Sequence, residues 1–179
     1  MNLDVTRDGS YFYSAALNLR DSMFAAEFEK GKNGQSMHFD MRKIRQPKVH
    51  WRIAKAHPSL ETEYHSNVNA VNLAVKEPRS PQWNILPETK IIEGFKAQKA
   101  VTFYKGRKWT VWFTEEIQIQ DGPYKFSGLP GLVLIAEDEQ KYHVFAFVGS
   151  RKLDENSGLK DKNDQRIFVD EKKYNRLWN

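Results

Sequence analysis

The chain has 179 residues, of which 40% are hydrophobic and 28% charged, a composition typical of one folded domain with a sizeable core. Its formal charge of +5 comes from lysines and arginines scattered from Arg7 to Arg176 without a block, so nucleic acid is not an expected partner. The absence of cysteine excludes disulfides, thiolate catalysis and zinc sites built on cysteine.

The N-terminal stretch, MNLDVTRDGS, lacks the apolar h-region of a signal peptide. We therefore expect either a cytoplasmic protein or a chain whose leader has been removed. The longest largely apolar stretch, 129–136, is far shorter than the ~20 residues that a membrane-spanning helix needs. No transmembrane segment is expected.

Short runs rich in aromatic and β-branched residues follow along the chain, and each is bounded by glycine, proline, aspartate or lysine. Such runs predict β-strands. The predicted strands are SYFYSAAL (10–17), VHWRIAK (49–55), KAVTFYK (99–105), KWTVWFTEEI (108–117), LVLIAED (132–138) and YHVFAFVG (142–149).

The segments between these runs predict loops. Breaker residues mark 31–41 and 77–86, and mixed charges mark a polar, mobile loop at 150–165. The segment 67–76 fits either a strand or one or two helical turns.

Short connections between neighbouring runs predict hairpins and a four-stranded meander over 96–149. The expected fold is mainly β: a single domain over residues 1–179, built on a curved, largely antiparallel sheet. A half-barrel and a two-layer sandwich both fit this pattern, with helix below about a quarter of the residues.

Both faces of the predicted sheet are apolar. Trp109, Val111 and Phe113 alternate onto one face of their strand, and Trp112 lies on the other. An antiparallel sheet with one face in water would alternate more cleanly between apolar and polar residues. The second face is therefore part of a two-layer core, the lining of a concave ligand site, or a subunit interface.

Histidines do not form a recognisable catalytic or metal motif. His50, His57 and His65 are seven and eight residues apart, and Pro58 argues against one helix that would place them on a single face. His143 lies within an apolar strand and is expected to be a structural histidine. We predict no bound metal and no cofactor.

Other catalytic patterns are also missing. Ser127 is not in a G-x-S-x-G elbow, and the glycines form no phosphate-binding loop. KGRKWTVWF departs from the RNA-binding aromatic motif at Arg107 and Lys108. Glu115 and Glu116 are adjacent, so on a strand they would point to opposite sides and could not form a glycosidase carboxylate pair without a bulge.

The stretch GPYKFSGLPGLVLIAEDE, from position 122, is the most distinctive part of the sequence. Asp121-Gly122-Pro123 favours a turn, and the second glycine and proline pair bends the chain again before the apolar run. We predict an ordered, partly buried Ω-type loop that seals one end of the sheet. Because Lys125 alternates with two aromatic residues, its ammonium is expected to point toward solvent or Asp121, forming a cationic rim with Arg107.

This stretch and the strands before it resemble the GLPGLI family of Bacteroidetes proteins, also described as a Porphyromonas gingivalis-type family of unknown function. The similarity is dense over 83–148 and rests on the segments 106–113, 121–126 and 128–132. Ala97 and Gln118 depart from the cysteine and proline that many members have there. Because members are usually exported, the resemblance implies a periplasmic or secreted protein whose signal peptide is absent from this chain.

From these observations the predicted function is a non-enzymatic extracytoplasmic domain that binds an apolar or amphipathic ligand. The expected partners are a lipid, a lipidated chain or an extended peptide. Two alternatives stay open: a hydrolase or peptide-processing enzyme of the cell envelope, and a structural partner of an outer-membrane protein complex. No catalytic residue is predicted, and the candidate binding residues are Arg107, Trp109, Trp112, Asp121, Tyr124, Lys125, Phe126, Leu129 and Pro130.

Overall fold

The structure, a computed structural model, describes residues 1–40, 42, 46–68, 71–77, 80–152 and 166–177. In this part of the chain, eleven strands form two sheets, and two helices lie outside them. The predicted mainly β fold with little helix is confirmed, because both sheets are largely antiparallel and the helices span only 18 and 6 residues. Most of the predicted loop 150–165 lies outside the described residues.

The first sheet joins strands from both ends of the chain. All its neighbouring strands are antiparallel except the last pair, β5 and β11, which is parallel. The segment 67–76 is strand rather than helix wherever it is described. In spatial order the sheet contains β1 (Asn2–Val5), β2 (Gly9–Tyr13), β3 (Trp51–Ala56), β4 (Thr62–Val68), β5 (Val71–Lys76) and β11 (Ile167–Phe168).

The second sheet is an antiparallel meander with five strands, one more than the four predicted. The additional strand, β6, begins at Asn84, inside the predicted loop 77–86. Lys105 and Gly106 both have positive φ, as a two-residue hairpin turn between β7 and β8 requires. The strands are β6 (Asn84–Ile92), β7 (Phe95–Tyr104), β8 (Arg107–Thr114), β9 (Leu132–Asp138) and β10 (Val144–Ala146).

Strand β10 is shorter than the predicted run 142–149. The Asp138 carboxylate at the end of β9 accepts a hydrogen bond from the backbone N–H of His143 at 3.1 Å. This bond holds the residues before Val144 in a turn, so pairing with β9 starts only at Val144.

The prediction of one strand over 10–17 is wrong beyond Tyr13. The Ser14 hydroxyl accepts a hydrogen bond from the backbone N–H of Leu17 at 3.3 Å and caps a helix, α1 (Ala15–Lys32). This helix contains many strong helix formers, but Leu17 is its only fully buried residue, so it lacks the apolar stripe that identifies an amphipathic helix in a sequence. The second helix, α2 (Glu171–Arg176), is capped in the same way by Asp170.

Both faces of the second sheet carry buried apolar residues, as the apolar pattern on both sides indicated. The face toward the first sheet holds the inner cluster, whose buried members are Ala100, Tyr104, Trp109, Val111, Phe113, Phe126, Leu129, Val133 and Ala136. The other face holds a smaller outer cluster of Ile92, Ala97, Leu132 and Leu134, against which Trp112 packs.

Aromatic rings join the two sheets. Phe12 of β2 meets Phe145 of β10 edge to face at 5.5 Å, and Trp51 of β3 meets Tyr124 at the same distance. Burial of such rings provides most of the packing between layers. The two-layer interpretation therefore accounts for the inner face.

The GLPGL segment passes very close to the end of β8. A Cβ atom placed on Gly131 would lie 2.0 Å from the carbonyl oxygen of Thr114, a separation that no side chain tolerates. The motif glycine is therefore required by a close backbone approach. Among the helices that the structure describes, none has the length and apolarity to cross a membrane.

Candidate functional site

The loop between β8 and β9 places most of the predicted binding residues inside the protein. Phe126 and Leu129 are 0% and 1% exposed, and the Phe126 ring lies 4.7 Å from that of Trp109. Tyr124 is half-buried and stacks between Trp109 and Phe145. These side chains form the core under the loop rather than an open aromatic face.

Trp112 and Pro130 lie apart from this group. Trp112 is half-buried on the opposite face of the sheet, where the Lys90 ammonium lies 4.1 Å from its ring centroid. Pro130 is exposed at the bend of the loop. The structure therefore does not bring all the predicted binding residues into one site.

Asp121 is the buried charge at the start of the loop. Its carboxylate forms an ion pair with Lys55 of β3, and both side chains are 0% exposed. It also accepts a hydrogen bond from the backbone N–H of Gly122 at 2.6 Å and lies 3.1 Å from His57 Nε2. Burial lowers the pKa of Lys55, and the Asp121 charge opposes that shift. Asp121 therefore ties the loop to the first sheet.

Lys125 does not point to solvent or to Asp121, contrary to the expectation from alternation. Its positive-φ neighbour Tyr124 turns the chain, and the Lys125 ammonium donates to the Glu77 carboxylate at 2.7 Å. Glu77 also pairs with Lys105 at 2.9 Å, and Lys105 pairs with Glu171 of α2 at 2.9 Å. A chain of alternating charges thus connects the loop, the β7–β8 turn and the C-terminal helix.

Arg107 has a separate partner. Its guanidinium donates to the buried Asp138 carboxylate at 2.9 Å, and His143 Nδ1 lies 3.1 Å from the same oxygen. Since Arg107 and Lys125 are neutralised by different carboxylates, the structure does not join them into a cationic rim.

A small cleft of about 110 Å³ opens beside the charge network. It is far smaller than the 300–1,000 Å³ that is usual for ligand pockets, so it has room for only a few solvent molecules. Its lining consists of Tyr64, Val75, Lys76, Glu77, Lys125, Glu171, Tyr174 and Asn175.

A larger pocket of about 380 Å³ lies where strands β6, β7 and β8 end together; we call it the sheet-end pocket. Cross-strand pairing places Thr89 beside Gln98 and Gln98 beside Phe113. Phe113 belongs to the inner cluster, so the pocket lies on the face of the sheet that the core also uses. Its lining consists of Thr89, Lys96, Gln98, Phe113, Glu115 and Glu116.

Glu115 and Glu116 both line this pocket, although on a strand they would point apart. The strand ends at Thr114, and the Glu116 N–H donates to the Thr114 hydroxyl at 3.2 Å, so the two residues follow a turn. The Glu116 carboxylate then accepts from the Lys96 N–H at 2.7 Å. The prediction that the two glutamates point to opposite sides was wrong, because the alternation of a strand does not continue past its last paired residue.

The histidines remain dispersed in the structure. His65 pairs with Glu63 at 2.9 Å, whereas His57 lies against Asp121. Within the described residues, no three His, Asp or Glu side chains gather closely enough to hold a metal ion. The expectation that the protein binds no metal and no cofactor stays a prediction.

Glu77 gives the charge network a testable pH dependence. Burial alone would raise its pKa, but hydrogen bonds from Lys125 and Lys105 outweigh burial and hold the pKa below its ordinary value of 4.5. A carboxyl whose pKa is lowered by folding stabilises the folded state at pH values above its ordinary pKa of 4.5. This contribution is lost as the pH falls through the lower pKa of the folded state.

We expect Glu77→Gln to lower the free energy of unfolding at pH 7 by about 1.5–3 kcal/mol, because charge-assisted hydrogen bonds are lost. The difference from the unmodified protein should shrink below pH 4.5. Urea unfolding at several pH values measures it. Glu88→Gln, in the exposed pair with Lys99, is the control and should cost at most about 1 kcal/mol. A difference that stays constant with pH would contradict the assigned role of Glu77.

Comparisons with known proteins identify a family. A family model described as "N-glycanase peptide, N-terminal domain", of the PNGase F-II type, matches residues 35–175. Two solved structures of PNGF-II, in space groups P21 and C2, superpose with TM-scores of 0.60 at 16% and 17% identity. They cover 97% of this chain, which spans 28% of theirs, and at this identity they show the fold alone. A search of curated proteins finds no match.

The assignment of this chain to the GLPGLI family is therefore wrong. The matching family model and the solved structures are of the PNGase F-II type, and none indicates GLPGLI proteins. The short motifs were misleading because they meet local structural demands: Gly131 permits a close backbone contact, and Asp121 neutralises a buried lysine.

Proposed function

The chain belongs to the family of N-glycanase peptide N-terminal domains, and from this we propose that it works in the hydrolysis of N-linked glycans. The carrier of apolar ligands predicted from the sequence is wrong, because the family is one of glycanases. The alternative prediction, a hydrolase of the cell envelope, agrees better with this family. The carrier prediction rested on apolar residues on both faces of the strands. In the structure, many of these residues belong to two buried hydrophobic clusters.

The family match is the observation that carries the proposal, since it covers most of the chain, from residue 35 to residue 175. Because the chain spans 28% of the PNGF-II chains, we propose that it acts together with a larger hydrolase portion. Its partner would then be an N-glycosylated protein. The lipid and outer-membrane partners expected from the sequence have no supporting observation among the described residues.

The arrangement of polar groups is compatible with a role in substrate binding. The buried charges of the loop are neutralised in fixed pairs, so they serve the fold. The sheet-end pocket instead presents polar side chains in an open cavity. We also propose that residues 1–179 act as a single domain, whereas a periplasmic or secreted location stays a prediction.

The test is a domain exchange. We expect a chimera in which this chain replaces the matching part of PNGF-II to release N-glycans from a denatured glycoprotein, measured by labelling the freed oligosaccharides. The control is the remainder of PNGF-II joined to an unrelated β domain, which should release them more slowly. If the folded chimera is no faster than that control, the proposed role is wrong.

A further inference from the structure

We propose that the sheet-end pocket binds an uncharged, hydroxyl-rich sugar ring of the glycan. This inference rests on the proposed function and names the part of the substrate that the chain holds. It concerns the pocket lined by Thr89, Lys96, Gln98, Glu115 and Glu116 over the buried Phe113.

The lining matches the hydrogen-bonding capacity of a sugar hydroxyl, which both donates and accepts. The Glu115 carboxylate accepts, the Lys96 ammonium donates, and the Thr89 hydroxyl does both. The Gln98 amide nitrogen already donates to the Leu86 carbonyl at 2.8 Å, which fixes the amide and leaves its oxygen as an acceptor. Acceptors and donors therefore surround one cavity.

These groups are available to a ligand. Across the part of the chain that the structure describes, the side chains of Lys96, Thr89 and Glu115 have no ion pair or hydrogen bond with another side chain. Lys125 and Asp121, by contrast, are both buried and paired. Two other lining side chains have backbone partners: Glu116 accepts from the Lys96 N–H, and Gln98 donates to the Leu86 carbonyl. Open polar groups in a cavity are satisfied by water until a polar ligand replaces that water.

Charge and size narrow the class of ligand. Two carboxylates and one ammonium line the pocket, so an anionic sugar would meet net repulsion. A lipid chain would leave these polar groups desolvated without partners. The volume of about 380 Å³ falls within the usual range for a small-molecule site. A neutral sugar satisfies all three conditions.

The experiment titrates the isotopically labelled chain with a free neutral N-glycan oligosaccharide and follows backbone amide signals by NMR. Mannose and N-acetylglucosamine are tested singly, and N-acetylneuraminic acid serves as the anionic arm. We expect saturable shifts at residues 89, 96, 98 and 115–116, and none at the same concentration of the anionic sugar.

Two variants test the assigned groups, each with a matched control. Thr89→Val should raise the Kd roughly tenfold, as expected for the loss of one neutral hydrogen bond. Glu115→Gln should raise it more, because the hydrogen bond that it weakens involves a charged group. Thr110→Val, on the opposite face of β8, and Glu61→Gln, in an exposed turn, should leave the Kd within about twofold. Folding of each variant is checked from its amide spectrum.

Binding to the folded chain without shifts in the pocket would overturn the inference, and so would no saturable binding. Shifts at Tyr64 and Tyr174 alone would place the ligand in the small cleft and also overturn it. The binding assay involves no hydrolysis. A chimera that releases glycans while the chain fails to bind sugar would therefore refute the pocket and leave the proposed function standing.

Discussion

Asp121→Ala is expected to lower the free energy of unfolding by about 3–5 kcal/mol, because it leaves the Lys55 ammonium buried without a counter-charge. Both side chains are 0% exposed, so bulk water does not solvate the Lys55 ammonium. Lys55 would keep its hydrogen bonds to two backbone carbonyls, those of Gly122 at 2.6 Å and Phe126 at 3.5 Å, but neither carries a full negative charge. Denaturant unfolding followed by tryptophan fluorescence and circular dichroism measures the loss.

A double-mutant cycle measures the interaction energy between Lys55 and Asp121 separately from the other effects of each substitution. Replacing both charges, as in Lys55→Met with Asp121→Ala, should cost less than the sum of the single changes, since no isolated charge remains. Glu139→Ala is the control: its pair with Lys108 is about 60% exposed, and its loss should cost at most about 1 kcal/mol. Additive single and double changes would show that Lys55 and Asp121 do not act as a pair.

Phe126→Ala is the second change with a large expected effect. The side chain is 0% exposed, and its ring lies 4.7 Å from Trp109, 5.6 Å from Tyr124 and 5.8 Å from Trp83. Removing the ring leaves a cavity that these rigid neighbours cannot fill, so we expect a loss of about 3–5 kcal/mol. Guanidinium unfolding monitored by tryptophan fluorescence gives the value.

Phe103→Ala is the matched control for this change. Phe103 lies on the neighbouring strand β7 but is 77% exposed, so its loss should change stability by no more than about 0.5 kcal/mol. Similar losses for the two variants would mean that the loop does not seal the inner cluster. A large loss for Phe126→Ala alone identifies this loop as part of the core.

The location of the loop residues also changes the expectation for Lys125. Alternation with Tyr124 and Phe126 predicted an ammonium that points toward solvent or Asp121. In the structure the side chain is 9% exposed and pairs with Glu77, whose side chain is 4% exposed. Removal of one member of such a pair is destabilising, because the other charge stays buried.

The sequence by itself determined the local structure of most of the sheet. Aromatic and β-branched runs located β3, β7, β8 and β9, because a strand with both faces covered needs apolar residues at successive positions. Glycine marked the hairpin turn at Lys105-Gly106, where positive φ is required. Helix α1 was not predicted from the sequence, because it buries only Leu17 and therefore has no apolar stripe.

Only the tertiary structure decided which polar groups meet and where an open pocket remains. Lys55 bonds to the backbone 67 residues away, and Glu77 reaches Lys125 across 48 residues. Such pairs depend on sheet register and on how two layers pack, whereas sequence periodicity reports only on the face that a residue occupies. The sheet-end pocket also depends on the tertiary structure. The turn after Thr114 places two adjacent glutamates beside the ends of three strands, and strand alternation does not predict this placement.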